Sequence, residues 1–96
     1  MNPRVKEIVD VNPYVIKIKW TNGEVKTVDF NLFLAKERDR VGSVYSRLFS
    51  PETFRKVKTD GRTIYWDDLT EMIDEAGHRF PAPLDFCPDV IYQASN

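Results

Sequence analysis

The chain has one cysteine, one histidine and four glycines among its 96 residues. The lone Cys87 cannot close an intramolecular disulfide, so nothing in the cysteine pattern points to secretion. Two soft ligands, His78 and Cys87, do not make a zinc site. No glycine-rich phosphate loop occurs. No apolar run approaches the ~20 residues of a membrane span. The opening Met1-Asn2-Pro3-Arg4-Val5-Lys6 lacks the apolar core of a signal peptide. The expectation is a cytoplasmic protein with no membrane contact. Neither sign of charge is in excess. With a net charge of −1 and the two signs interspersed, no global pull toward nucleic acid exists. Internal repeats and low-complexity segments are also missing.

What is present is an ordinary globular composition, 42% hydrophobic and 30% charged. A chain this short allows one domain, residues 1–96, with a modest core. Its organising stretch is Tyr14 to Phe30. Ile16, Ile18 and Trp20 share one face of a strand, and Lys17 and Lys19 share the other. Asn22-Gly23 is a strong hairpin signal and suits a type I′ turn. Val28 and Phe30 share a parity on the returning arm, with Lys26 pointing the same way. Before it, Val5, Ile8, Val9 and Val11 form a β-branched run ended by Asn12-Pro13. These signals predict a three-stranded meander.

Three strands with one apolar face need a cover. Asp29 or Asn31 can cap a short helix through Leu32 to Ala35, with Phe33 or Leu34 turned inward. The mixed-sign run Lys36 to Arg40 reads as a solvated helix end, with a partner-binding knob as the sharper alternative. Ser50-Pro51-Glu52 starts another helix: Ser50 at the cap, Pro51 at the first helical position, Glu52 near the positive end of the dipole. A second hairpin turns at Asp60-Gly61 between Arg55–Thr59 and Arg62–Trp66 and is expected to join the first sheet. Asp67 to Gly77 admits two readings. Leu69, Met72, Ile73 and Ala76 recur at helical spacing, which favours a helix, while Asp74 to Gly77 can also be a tight turn between two strands. Pro81, Pro83 and Pro88 are expected to forbid regular structure over most of the tail, with Pro88 to Tyr92 as a docking turn. The fold class is therefore α+β: a small antiparallel meander sheet of about five strands, with one to three short helices covering one face.

Three groups of residues could carry chemistry. Asp67, Asp68, Glu71, Asp74 and Glu75 could supply oxygens to a hard cation and so support a small metal-dependent enzyme, or they could be a solvated face. His78 and Cys87 could form a nucleophilic pair only if folding brought them together. Cys87, between Phe86 and Pro88, reads better as a small buried hydrophobe. Lys17, Lys19 and Lys26 with Arg55, Lys56 and Lys58 could make a basic strand face for nucleic acid if their strands shared a sheet. Otherwise they solubilise its outer side.

The order of motifs resembles the small bacterial DUF2442 family. The residues that carry the likeness are Tyr14-x-Ile16-x-Ile18-x-Trp20 running into Asn22-Gly23-Glu24; Val28-Asp29-Phe30; Phe49-Ser50-Pro51-Glu52-Thr53-Phe54; Ile64-Tyr65-Trp66; and the closing Asp85-Phe86-Cys87-Pro88-Asp89-Val90-Ile91-Tyr92. The likeness spans nearly the whole chain. One departure is clear. The family runs from the tryptophan almost directly into the closing motif, whereas here Asp67 to Pro83 intervenes. The resemblance implies a domain of unknown function with no catalytic motif, whose genes often lie beside those of another small family in toxin–antitoxin-like pairs, and which is sometimes fused to a helix-turn-helix. The expectation is a non-enzymatic, antitoxin-like protein-interaction module. It would bind a small protein partner, or itself as a homodimer, through a sheet edge or the tail. Candidate surface residues are Arg55, Lys56, Lys58, Asp85, Asp89 and Tyr92. No catalytic residue, metal ligand or cofactor is assigned.

Overall fold

The structure is a computed structural model and describes residues 3–40 and 42–96. It is α+β, with two three-stranded antiparallel sheets and a few short helices. Strands β1 (Val5–Asn12), β2 (Val15–Trp20) and β3 (Val25–Asp29) form the first sheet, with β2 in the middle. Strands β4 (Lys58–Thr59), β5 (Ile64–Ile73) and β6 (Arg79–Asp85) form the second, with β5 in the middle. The single meander of about five strands is thus two separate sheets. They touch where the Val5 amide donates to the Arg62 carbonyl at 2.9 Å.

The first sheet follows the period-two pattern. Ile16, Ile18, Trp20 and Val28 are fully buried, and Lys17 is exposed between them. The broken alternation of β1 has a geometric cause. Its register with β2 slips between Val5 and Glu7 and again between Ile8 and Asp10, and Val9 is left outward at 49% exposure. Bulges of this kind also blunt an edge strand against pairing with another chain. The Asn22-Gly23 turn is not type I′. Only Gly23 has positive φ (+89°), and the Gly23 amide donates to the Trp20 carbonyl at 2.9 Å while Trp20 donates to Glu24 at 2.8 Å. This is a type I turn closed by a glycine bulge, the common three-residue hairpin.

Four short helices and a 3-10 turn at Val44–Leu48 close the core. Helix α1 (Phe30–Phe33) is capped by Asp29, whose carboxylate accepts the Asn31 amide at 2.9 Å. Helix α2 (Ala35–Arg38) follows it, and Leu34 between the two is buried. Helix α3 (Pro51–Phe54) starts on Pro51, but the Ser50 hydroxyl turns to Glu52 at 3.1 Å and leaves the backbone uncapped. Phe54 beneath it is fully buried. The C-terminal helix α4 (Pro88–Ala94) buries Ile91. The core is one cluster between the sheets, with Phe30, Phe54, Trp66 and the half-buried Phe86 packed as edge-on and tilted rings 5.3–6.0 Å apart. Burial of such rings dominates the energetics of a small core.

The largest correction concerns the tail. Asp67 to Gly77 is not a helix. Its first part is the outer half of β5, and Asp74 to Gly77 is the turn into β6. Pro81 and Pro83 do not prevent a strand either. They lie within β6, at the edge of the second sheet, where a missing N–H faces no neighbour.

Candidate interaction surface

Beyond the core, β5 and β6 continue as a two-stranded arm. A chain of this length packed as a sphere-like domain has a radius of gyration of about 12.5 Å. Here it is 13.9 Å, with extents of 44 × 28 × 22 Å. The arm begins at a bulge. Trp66 pairs with Leu84, but the next pair is Thr70 with Ala82, so Asp67 to Leu69 face Pro83 alone. Asp68 takes the left-handed conformation there, at φ +55°. The Arg47 guanidinium donates to the Leu69 carbonyl at 2.8 Å and pins the bulge to the body. At the far end the Asp74 carboxylate accepts the amides of Ala76 (2.9 Å) and His78 (2.8 Å), and Gly77 supplies the positive φ, +84°, that closes the turn.

The stripe Leu84, Ala82, Phe80 runs along one face of β6. Leu84 and Ala82 are buried, but Phe80 is 43% exposed. Its cross-strand neighbour Met72 is 56% exposed, and Ile73 on the opposite face is 64% exposed. The apolar face of the hairpin therefore outruns the core that should cover it. A shallow groove of about 230 Å³ lies beside it, lined by Arg47, Asp68, Thr70, Glu71, Arg79 and Phe80 among others.

The six candidate surface residues fall in separate places. Lys58 and Asp85 flank Tyr65 in one row across β4, β5 and β6. Lys58 forms an ion pair with Asp67 at 2.5 Å. Arg55 and Lys56 follow α3 and are exposed. Asp89 and Tyr92 sit on α4 and fasten it to the first sheet. Asp89 accepts from Arg4 at 2.9 Å. The Tyr92 hydroxyl donates to Glu24 at 2.5 Å, its ring stands edge-on to Trp20 at 4.9 Å, and Lys26 lies over the ring at 4.0 Å. The hydrogen bonds from Tyr92 and Asn22 hold the Glu24 carboxyl below its usual range, and the same carboxylate raises the Tyr92 phenol. Two limbs follow. A depressed carboxyl stabilises the fold above its unfolded value and stops doing so as pH falls through the folded one. A raised phenol stabilises the fold below its unfolded value and stops doing so as pH rises through the folded one. Tyr92→Phe is expected to flatten both the acid and the alkaline limbs of stability against pH, read from urea midpoints. A profile parallel to wild type at both ends would contradict this bond.

The other constellations disperse. In the first sheet Lys17 stands across from Asp10 and Lys19 from Glu7, so its outer face alternates in sign. The basic strands of the two halves also belong to different sheets. Cys87 is exposed at the start of α4, not buried as its neighbours suggested. His78 is at the tip of the arm, and β6 between them spans on the order of 20 Å. Among the described residues no three His, Cys, Asp or Glu side chains converge to hold a metal ion. The acids are strung along the arm, where Asp67 meets Lys58, Glu71 lies 3.9 Å from Arg79, and Asp74 serves the turn. No helix of the described residues is long and apolar enough to cross a membrane. The residues that sequence reasoning missed are Met72 and Phe80. The signal for Phe80 was the alternation Phe80-Pro81-Ala82-Pro83-Leu84, apolar on one parity with proline on the other, while Met72 was masked by its place in a helical spacing.

No protein-family model, curated protein or solved structure matches the chain.

Proposed function

We propose that this chain is a non-enzymatic protein-interaction module, DUF2442-like and antitoxin-like in role, that works through its β5–β6 arm. One observation carries the reading: a protruding hairpin exposes Met72, Ile73 and Phe80, which a monomer gains nothing by leaving in water. Clustered apolar side chains on a narrow projection are a means of docking, and burial of each is worth about 1.5–3 kcal/mol to a partner that covers it. The arm also coincides with Asp67 to Pro83, the segment in which the chain departs from the family pattern. Binding through it would be a property of this chain and its close kin. The dispersed acids and the distant His78 and Cys87 favour the reading without catalysis.

The test is co-expression with the product of the adjacent gene, followed by capture and titration. Wild-type protein is expected to bind it. Met72→Lys with Phe80→Lys, both exposed positions, is expected to weaken binding at least ~10-fold, about 1.4 kcal/mol, with an unchanged far-ultraviolet spectrum. Binding unmoved by the double change would reject the arm, and tight, salt-dependent binding of nucleic acid would favour the basic-face alternative.

A further inference from the structure

Resting on that reading, we infer that the outer edge of β5 at Glu71–Ile73 is a strand-pairing site for a second copy of this chain, related by a two-fold axis through Met72. The register decides which edge is open. The Asp74 amide donates to the His78 carbonyl at 3.0 Å, so Asp74–His78 is a hydrogen-bonded pair. Pairs alternate in an antiparallel ladder. Met72–Phe80 is then bonded, while Glu71–Pro81 and Ile73–Arg79 are not. Pro81 requires the same answer, since it has no N–H to give Glu71. The N–H and C=O groups of Glu71 and Ile73 therefore project from the side of β5 away from β6. No group of the described residues bonds them. The Leu69 carbonyl, which begins this edge, is already held by Arg47. The other edge of the arm is closed, because Pro81 and Pro83 share the outward parity of β6 and remove two donors from it.

Self-pairing fits this edge for reasons of sequence. Antiparallel pairing of Glu71 with Ile73 of the second copy forms about four main-chain hydrogen bonds. It sets the two Met72 side chains face to face. Phe80, Met72 and their two equivalents then form one apolar row across four strands, in which the two Met72 side chains shield each other. Thr70 meets Asp74, and the acidic turn of each copy lies beside Arg47 of the other. No like charges stand directly opposite. Moving the axis to Glu71 would oppose Asp74 with Asp68, and moving it to Ile73 would oppose Glu71 with Glu75. The contact is small beside the about 1,200–2,000 Å² of a standard interface. Dimerisation is therefore expected to be weak and concentration-dependent.

Cross-linking reads the axis directly. In a Cys87→Ser background, Met72→Cys places two thiols in a non-hydrogen-bonded pair with Cα atoms about 4.5 Å apart, within disulfide reach. Phe80→Cys places them three strand spacings apart, about 14 Å. Under a mild oxidant, Met72→Cys is expected to become a covalent dimer at least tenfold faster than Phe80→Cys. Sedimentation of the wild type is expected to show a monomer–dimer equilibrium. Ile73→Pro, which removes an outward N–H without touching a bond to β6, and Met72→Lys, which opposes two ammonium groups, are each expected to shift it at least tenfold toward monomer. Equal cross-linking rates, or a wild type monomeric at every concentration, would overturn the inference. A monomer whose Met72→Lys and Phe80→Lys variant still loses the neighbouring gene product would overturn the self-pairing alone and leave the arm as a docking site.

Discussion

Trp66→Ala is expected to lower the free energy of unfolding by about 3–5 kcal/mol. Domains of this size hold roughly 5–15 kcal/mol in all, so the loss is a large fraction of the total. The reason is position. Trp66 is 1% exposed and packs against Phe30, Phe54 and Phe86, where both sheets and two helical segments meet. Its Nε1 donates to the Phe54 carbonyl at 3.1 Å. Trp66→Phe keeps most of the packing but leaves that carbonyl with only the longer bond from the Val57 amide, at 3.3 Å, a loss of about 0.5–1.5 kcal/mol. Trp20 is the internal comparison. It is equally buried, but its Nε1 has no hydrogen-bond partner among the described residues. Trp20→Phe loses no such bond and is expected to cost less than Trp66→Phe. Urea unfolding of the three variants checks the order, and an equal cost for the two Trp→Phe changes would contradict it.

Removal of residues 88–96 is expected to abolish cooperative unfolding at 25 °C, with a loss of at least about 5 kcal/mol. The segment supplies Ile91 to the core and the Tyr92 ring to Trp20. It also completes the first sheet. Asn96 and Thr27 exchange both main-chain bonds, at 2.8 and 2.9 Å, across the outer side of β3. Without them the first sheet would present an unpaired edge next to the exposed Val25, a template for aggregation. Asp89→Ala alone removes only the partly exposed bridge to Arg4 and is expected to change stability by about 0–1 kcal/mol. A truncated chain that still melts cooperatively within about 1 kcal/mol of the full one would contradict the role given to the helix.

The half of the fold written in short-range signals was legible. Asn12-Pro13, Asn22-Gly23 and the alternation Ile16, Ile18, Trp20 each constrain only a few neighbouring residues, and the strands they predict are present. Trp20, Phe30 and Ile64 are fully buried, as their patterns required. The Asp29 cap and the Pro51 start also stand where expected. The turn type was misjudged because Asn-Gly is compatible with more than one three- or two-residue hairpin.

The arm was harder to read for a physical reason. The bulge at Asp67 to Leu69 inserts two residues and keeps the parity of β5, but the positions that continue the face of Ile64 and Trp66 are then the polar Asp68 and Thr70, which hide the period of two. What remains, Leu69, Met72, Ile73 and Ala76, imitates a helical stripe. The prolines in β6 added a second disguise, since their cost depends on whether a neighbouring strand exists, which is a tertiary fact. The surface follows the same division. Asp89 and Tyr92 are expected from the sequence on a partner surface, but in the structure they bind within the chain, because their partners Arg4, Glu24 and Lys26 are about 65–85 residues away. Lys58 and Asp85 share a row only through the register of β5, which stands between them.

The measurement that bears most directly on the arm as a working surface is amide hydrogen exchange along β5, read residue by residue in dilute and in concentrated protein. Met72, whose amide faces Phe80 on β6, and Asp74, whose amide donates to the His78 carbonyl, are expected to exchange slowly in both. Glu71 and Ile73 are expected to exchange rapidly in dilute protein and slowly once a second copy covers their edge. Slow exchange of Glu71 and Ile73 at every concentration would show that the edge is not open, and rapid exchange at every concentration would show that no copy of the chain pairs with it.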